Sequence, residues 1–496
     1  PLFALGGWLR HRPALTAMLR DGPVRDCLLA QLLVSLWCLG WLCLVENYSG
    51  GGWTSDWFEH WQRAQHFLNR EPAGQLFLGI YPLTARPPLA NVVMAAWLQL
   101  TGGGFPHYQL FSTLLGSLAF LPAAALLIRW RPDRAALALL TVLFMVNPFF
   151  VQNAVFPWTK LPTALLVLTA VLFFLRSREG RAPWTDALLF SISLAAALLV
   201  HYSAAPYAIG LALGWILWRP LGGSWSAHLR LTAGAALAGG VLLATWFGWA
   251  LATYGLVGTL GTNTSVTTAA PEAGSQFIRI LLNLRDTLVP HFLRAPDPAL
   301  IAQTSPWGYA RDWFFQSYQL NLPLACGSVG WLVLGREGLR SWTVTAPAVR
   351  RFWAGFVVLV VILGVAAHGA RDVWGLTQIC LHALVLLGLV TIATRWPQLG
   401  RGWRLAAIGG ATLDLVAGIA LHFAVQNHAL DRWLTPERTA LEITASYNPQ
   451  TMRNLIGLIV HRFDTFHNVF APPGLVTAAL LGLLLAGALW RIRRCR

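Results

Sequence analysis

Charged residues are scarce in this sequence: they make up 11% of its 496 residues, against about 25% in an ordinary soluble domain. Hydrophobic residues make up 56%, so the chain has too little polar surface to enclose a core in water. Uncharged apolar runs of roughly 18 residues or more recur along it, and each is long enough to cross a bilayer. The scarcity of charge therefore excludes a soluble enzyme and predicts an all-α polytopic membrane protein.

Several motifs are missing as well. No GxxxxGK[ST] or GxGxxG motif opens a helix, which excludes a pump with its own nucleotide-binding domain. No DxD motif occurs in the polar loops, and the six cysteines form no CxxC pair. A divalent metal ion is thus compatible with the sequence but not indicated, and we expect that no cofactor is required.

Lysine is nearly absent. It occurs once, at Lys160, while the other 35 basic residues are arginine and the net charge is +16. The arginines cluster in short segments between apolar runs, which is typical of cytoplasmic loops under the positive-inside rule, so we expect no nucleic-acid partner. The predicted inner segments carry 23 arginines, and the much longer outer loops carry 13 basic residues. Both termini are accordingly predicted to be cytoplasmic.

About twelve membrane spans are predicted, with eleven to thirteen compatible. They are 27–45, 107–128, 135–150, 161–175, 184–200, 204–218, 231–253, 321–335, 352–367, 373–394, 404–424 and 473–490. The first is expected to be an anchor and not a removed signal peptide, because no small-residue cleavage site follows it. The apolar stretch 87–100 is interpreted as an interfacial or half-inserted helix.

The spans and loops divide the chain into predicted parts. These are a cytoplasmic N-terminus (1–26), a membrane module (27–253) with a long first outer loop (46–106), an extracytoplasmic loop (254–320), C-terminal membrane helices (321–424), a further extracytoplasmic loop (425–472), and a last helix with a basic cytoplasmic tail (473–496). Function tends to reside in long loops held by a rigid scaffold. We therefore expect the active site on the extracytoplasmic side.

The first outer loop contains the segment DWFEHWQRAQHFL at 56–68, which is predicted to be an amphipathic juxtamembrane helix. At 100° per residue, its polar side chains share the face that would point into an aqueous pocket or at a partner. They are Asp56, Glu59, His60, Arg63 and His66. Trp57 and Trp61 lie on the apolar face, where they suit a membrane interface. Asp56 and Glu59 also have the spacing of a helix capping box, and the two roles are compatible.

Two cations are candidates for binding a phosphate. Arg86 follows Tyr81 and comes just before the helix start Pro87-Pro88-Leu89, where a guanidinium beside free helix N–H groups would suit an anion. The alternative is an arginine that extends to lipid headgroups. Lys160, the lone lysine, lies where a predicted outer loop meets a helix start, and a compact ammonium there suits a phosphate or merely anchors the interface.

Two further pairs are weaker candidates for substrate binding. His201 and Tyr202 end the fifth span on the outer side, and His368 and Arg371 lie in a short outer loop. Arg371 could bind phosphate or belong to a salt-bridged turn. Asp414 lies inside a span, where we expect a structural hydrogen bond to a neighbouring helix.

Residues 27–200 resemble the GT-C glycosyltransferases, in particular the protein O-mannosyltransferases and the lipid A aminoarabinose transferases. The matching elements are Asp56 in the juxtamembrane helix and the run from Tyr81 to Arg86-Pro87-Pro88-Leu89. The family's usual lysine is Arg86 here, and its usual adjacent Asp-Glu pair is absent. The resemblance implies a GT-C-like fold in an inner (cytoplasmic) membrane.

The resemblance also implies a reaction. A sugar would pass from a polyprenyl phosphate to a glycan, lipid or protein acceptor on the outer face, among membrane lipids. Inversion at the sugar carbon needs a carboxylate base, for which Asp56 is the match, with Glu59 as a second catalytic candidate, while Arg86 and Lys160 would bind the departing lipid phosphate. His60, Arg63 and Tyr81 are further candidates for binding the substrate or its lipid phosphate. Two alternatives stay open: a transporter or lipid flippase, and a non-catalytic membrane subunit of a larger complex.

Overall fold

The computed structural model describes residues 20–45, 56–78, 81–180, 182–217, 224–262, 275–288, 347–366, 381–421 and 464–494, with a few isolated positions. In chain order, the α-helices of these residues are α1 (Gly22–Leu42), α2 (Asp56–Asn69), α3 (Leu89–Thr101), α4 (Phe105–Ser117), α5 (Phe120–Trp130), α6 (Arg134–Val146), α7 (Pro148–Val155), α8 (Lys160–Ser177), α9 (Pro183–Val200), α10 (Ala205–Leu217), α11 (Trp225–Leu260), α12 (Gln276–Leu288), α13 (Pro347–Ala366), α14 (Leu381–Arg395), α15 (Arg401–Leu421), α16 (Phe466–Phe470) and α17 (Gly474–Arg494). Short 3-10 helices lie at Leu83–Ala85, Tyr202–Ala204 and Trp396–Gln398.

The predicted all-α membrane architecture is confirmed. Helices occupy the described part of every predicted span apart from 321–335, which lies outside the described residues, as do 373–380 and 422–424. Within the described ranges, six helices are long and apolar enough to cross a membrane, or seven if the bent pair α6 and α7 counts as one span. The count of twelve therefore stays a prediction. Helix α3 has only 13 residues, about 20 Å at 1.5 Å per residue, which is too short for an upright span.

The predicted span 135–150 is broken in the structure. Helix α6 ends at Val146, α7 begins at Pro148, and their axes differ by 64°. Pro148 has no backbone N–H to continue the α6 ladder, and the Asn147 side chain caps α7 by accepting from the Phe150 N–H at 3.1 Å. The bend directs the chain through α7 toward Lys160, the first residue of α8.

Ion pairs mark one end of the bundle. The Asp26 carboxylate near the start of α1 receives Arg134 Nε from the start of α6 at 2.6 Å and Arg491 Nη2 from the end of α17 at 3.2 Å. Arg176 near the end of α8 pairs with Asp186 near the start of α9 at 3.1 Å. These arginines belong to the segments that the charge pattern predicts to be cytoplasmic.

The opposite end of the bundle carries α2, α3 and the start of α8. Helix α11 reaches this end: its ladder is interrupted at Gly255, with φ +67°, a conformation that glycine adopts without strain. Beyond the interruption, the Gly258 carbonyl accepts from Thr84 Oγ1 at 2.8 Å. The Tyr254 hydroxyl donates to the Ala73 carbonyl at 3.3 Å. The described end of α11 thus packs on the segment between α2 and α3 and helps to fix the 3-10 turn before Arg86.

Candidate functional site

The polar face of α2 is buried inside the protein. Asp56, Glu59, His60, Arg63 and His66 have 7%, 0%, 3%, 1% and 5% of their surface exposed. The sequence predicted that these side chains share one face that points into an aqueous pocket or at a partner, and in the structure this face lies in the protein interior. On the other face, Trp57 and Trp61 lie against Phe105 and Tyr108 of α4, with ring centroids 5.2 and 5.1 Å apart. Both faces of α2 therefore pack inside the protein: the polar face is buried, and the tryptophan face contacts α4.

Glu59 is the centre of an ion-pair network. Its Oε1 accepts from Arg63 Nε at 2.9 Å, and its Oε2 lies 3.3 Å from Arg86 Nη2. Burial alone would raise the pKa of Glu59, but the Arg86 and Arg63 guanidinium groups outweigh burial and hold the pKa at about 2. Glu59, whose spacing from Asp56 also fits a capping box, is thus paired with two arginines. It is ionised throughout the physiological pH range.

Arg63 ties α2 to the turn that carries Arg86. Its guanidinium donates to the carbonyls of Leu83 at 2.9 Å and Pro82 at 3.1 Å. It also lies over the Phe77 ring, 4.2 Å from the centroid. With Glu59 as a third partner, most of the N–H donors of Arg63 are used in contacts inside the protein. Arg63 therefore stabilises the position of the turn that carries Arg86.

Asp56 has a looser partner and a different protonation equilibrium. Its Oδ1 lies 4.0 Å from Arg86 Nη2. Burial raises the pKa of Asp56 to about 6, assisted by the negative charge of Glu59 and opposed by Arg86 and Lys160. Two carboxyl groups one helical turn apart therefore have pKa values that are pushed in opposite directions, a pattern typical of sites that divide acid–base and electrostatic roles.

Lys160 joins the same cluster from α8. Its side chain is 2% exposed, and Nζ lies 5.1 Å from the centre of the Trp158 ring. Its charge acts on both Asp56 and His201. The structure thus brings Lys160 and Arg86, which are 74 positions apart in the sequence, into one electrostatic environment with Asp56.

Two histidines in the cluster are neutral. Burial lowers the pKa of His60 to about 4, despite the opposing effect of Glu59. Burial, followed by the charge of Lys160, holds the pKa of His201 well below its usual value. His60 Nδ1 lies 3.1 Å from Asn91 Oδ1, and His201 Nδ1 accepts from the Ser203 N–H at 3.0 Å.

The two tyrosines lie at the edge of the cluster, and the last candidate pair cannot be placed. The Tyr81 ring centre is 5.8 Å from the Arg86 guanidinium carbon. The Tyr202 hydroxyl donates to the Thr84 carbonyl at 3.2 Å, and burial raises the pKa of Tyr202. His368 and Arg371 lie outside the described residues.

Sequence reasoning missed two residues of this environment. Asn91, in the first turn of α3, is 2% exposed and contacts His60. His382, in α14, is 2% exposed and acts electrostatically on His201, and its ring centre lies 4.6 Å from that of Phe149 with the rings tilted by 33°. Each is a strongly polar residue near the start of a largely apolar helix. A polar residue within an apolar run of a membrane protein is the sequence signal that could have identified them.

The charges of the cluster favour an anionic ligand. Its described residues include two acids, Asp56 and Glu59, and three permanent cations, Arg63, Arg86 and Lys160. The negative charge of Glu59 is balanced by Arg63, its closest arginine. The remaining carboxylate, Asp56, then lies in the field of two cations, Arg86 and Lys160. In the part of the chain that the structure describes, no group of three or more His, Cys, Asp or Glu side chains converges to hold a metal ion.

Comparisons with known proteins support the fold. No protein-family model and no curated protein matches the sequence. Among solved structures, ArnT from Cupriavidus metallidurans in the apo state has a TM-score of 0.50 and 16% identity, with 93% of this chain and 76% of that chain covered. ArnT bound to undecaprenyl phosphate has a TM-score of 0.47 and 13% identity over 92% and 77% of the two chains. ArnT is a GT-C lipid A aminoarabinose transferase. At 16% identity, the likeness to its apo structure concerns the fold alone: the chain described here is an all-α membrane protein whose fold resembles that of ArnT.

Proposed function

We propose that this protein is a GT-C-type glycosyltransferase that moves a sugar from a polyprenyl-phosphate donor to an acceptor on the extracytoplasmic face of the inner membrane. One observation carries the proposal: the buried Asp56 carboxyl, with a pKa of about 6, faces Arg86 at 4.0 Å and lies in the field of Lys160. A base and two cations at one end of a membrane bundle are the groups that displacement of a lipid phosphate requires. The GT-C-like fold supports the same function.

The proposed reaction is a single displacement with inversion. Ionised Asp56 takes the proton of the acceptor hydroxyl, and the acceptor oxygen forms a bond to the anomeric carbon. The bond from that carbon to the phosphate oxygen breaks, and its electron pair leaves with the polyprenyl phosphate. Arg86 and Lys160 stabilise the charge that develops on this leaving group. In a buried site their effect is larger than it would be in water.

The remaining candidates are assigned supporting roles. Glu59 and Arg63 orient Arg86, since the network from Glu59 to the Pro82 and Leu83 carbonyls surrounds it. His60 and His201 provide neutral polar surface for the sugar or its acceptor. Tyr81 and Tyr202 border the same space, while His368 and Arg371 remain sequence-based candidates for phosphate binding. The mechanism needs no metal ion.

The test is turnover by the purified protein in nanodiscs. A panel of radiolabelled polyprenyl-phosphate sugars (mannose, glucose and aminoarabinose) is offered with membrane-extracted lipid and glycan acceptors, and released polyprenyl phosphate is measured. We expect one donor to be consumed, and we expect Asp56→Asn to lower turnover by about 100-fold or more, the usual contribution of a positioned base. Full activity in a folded Asp56→Asn variant would refute the base assignment.

A matched control is available on α9. Asp186 is also buried, at 1% exposure, and pairs with Arg176 at 3.1 Å at the opposite end of the bundle. Asp186→Asn should leave turnover close to that of the parent protein. A flippase would instead transport the labelled lipid across proteoliposomes without forming a covalent product, and that result would replace the proposed function.

A further inference from the structure

Asn91 is a buried amide that the protein satisfies only in part. It lies in the first turn of α3, five residues after Arg86, and is 2% exposed. Its Oδ1 lies 3.1 Å from His60 Nδ1. Its Nδ2 is fully enclosed and has no hydrogen-bond partner among the described residues. A buried amide group without a hydrogen-bond partner is destabilising. A bound ligand that supplies this partner would explain why an asparagine stands at position 91.

The orphaned group does not depend on how the amide is oriented. If the amide is turned by 180°, Nδ2 donates to His60 and Oδ1 becomes the atom without a partner. In either orientation, one polar atom of the Asn91 amide therefore has no hydrogen-bond partner among the described residues. In the orientation of the structure, the neutral His60 carries its proton on Nδ1, which leaves Nε2 as a hydrogen-bond acceptor.

The chemistry of this pair differs from that of the cations beside it. Arg86 and Lys160 are charged and suit a phosphate, whereas Asn91 and His60 are uncharged, because burial keeps the His60 imidazole neutral with a pKa of about 4. His60 follows Asp56 by one helical turn on the same face of α2. A neutral amide and a neutral imidazole offer uncharged hydrogen-bond donors and an uncharged acceptor, which is the chemistry that sugar hydroxyl groups complement.

We propose that Asn91, together with His60, recognises a hydroxyl group of the transferred sugar and so determines which sugar is accepted. This inference rests on the proposed glycosyltransferase function. Sites that hydrogen-bond a substrate hydroxyl discriminate strongly against analogues that lack it, since their polar groups are then left unpaired. Asn91 would thereby set specificity without taking part in proton transfer or phosphate binding.

The experiment compares sugar donors that lack one hydroxyl at a time. The parent protein is assayed with the polyprenyl-phosphate sugar that it consumes and with each singly deoxygenated derivative. We expect one derivative to lose about 10- to 100-fold in kcat/KM, the value of one hydrogen bond to a buried group. Asn91→Leu should abolish this discrimination and bring the two donors within about threefold of each other.

Two controls keep the outcomes distinct. Gln152 in α7 is another buried amide whose side-chain atoms have no hydrogen-bond partner among the described residues, and it lines a small cavity beside Asp414. Gln152→Leu should retain the parent's discrimination between the complete and the deoxygenated donor. Asn91→Ala replaces Asn91→Leu if the larger side chain prevents folding. Equal use of every deoxygenated donor by the parent protein overturns the inference without any variant, as does a folded Asn91 variant that discriminates like the parent. Absence of turnover with all complete donors would instead refute the proposed function.

Discussion

Lys160 is expected to contribute, beside burial and Arg86, to the pH at which the site becomes active. Asp56 must be ionised to accept a proton, and the charge of Lys160 is one of the effects that lower its pKa. Neutralisation by Lys160→Gln removes that effect, so the pKa of Asp56 should rise and the acid limb of the activity profile should move to higher pH. Lys160→Arg retains the charge and should keep the limb in place.

The size of the pH effect follows from the pKa of Asp56. With a pKa of about 6, the ionised fraction rises about tenfold from pH 5 to pH 7 and is nearly complete above pH 7. Glu59 and His60, with pKa values of about 2 and 4, do not titrate in this window. The donor phosphodiester does not titrate there either, so the limb reports Asp56.

The assay is kcat/KM for the donor between pH 5 and pH 8.5, because this parameter reports the protonation of the free enzyme. The parent protein and Lys160→Arg should show one limb near pH 6. Lys160→Gln should show a lower plateau and a limb displaced upward. A flat profile in the parent protein, or an unchanged limb in Lys160→Gln, would contradict the assignment of Asp56 as the base.

Three further predictions concern the same network. The folded-state pKa of Asp56 lies above the unfolded value of 3.8, so its contribution to stability is present below pH 3.8 and is lost as the pH rises through about 6. Asp56→Asn should therefore be more stable than the parent at pH 8, by on the order of 3 kcal/mol. Thermal melting in detergent should show this as a higher melting temperature at pH 8 and no difference at pH 4. Glu59→Gln leaves two buried arginines without their carboxylate and should lower stability by about 3–5 kcal/mol; an unchanged melting temperature would refute the network. Arg86→Lys keeps the charge and should retain more donor affinity than Arg86→Gln, whose KM should rise by on the order of 100-fold; equal effects of the two variants would exclude an electrostatic role.

Much of the architecture could be predicted from the distribution of charge. Long uncharged runs predicted the helices, because a backbone in lipid must satisfy its own hydrogen bonds. The break between Val146 and Pro148 was not predicted, since apolar residues continue through it and periodicity alone does not reveal a 64° bend. Proline was the available signal, but it does not predict such a bend by itself, because Pro122 lies within the stretch Phe105–Trp130, which qualifies as one span without a break of this kind.

The candidate site could be predicted only in outline. The spacing of Asp56, Glu59 and Arg63 predicted a shared face, and the rarity of lysine singled out Lys160. Neither pattern contains information about what packs on the face. The division of roles between Asp56 and Glu59 depends on distances to Arg86, 4.0 Å against 3.3 Å, and these follow only from tertiary structure.

One measurement tests the central proposal most directly: a cryo-EM map of the protein in nanodiscs with added undecaprenyl phosphate. The account predicts density for the phosphate between Arg86 and Lys160, within hydrogen-bond distance of both cations and close to the Asp56 carboxyl. Phosphate density at the opposite end of the bundle, beside Arg134 and Arg491, with the space near Asp56 empty, would contradict it.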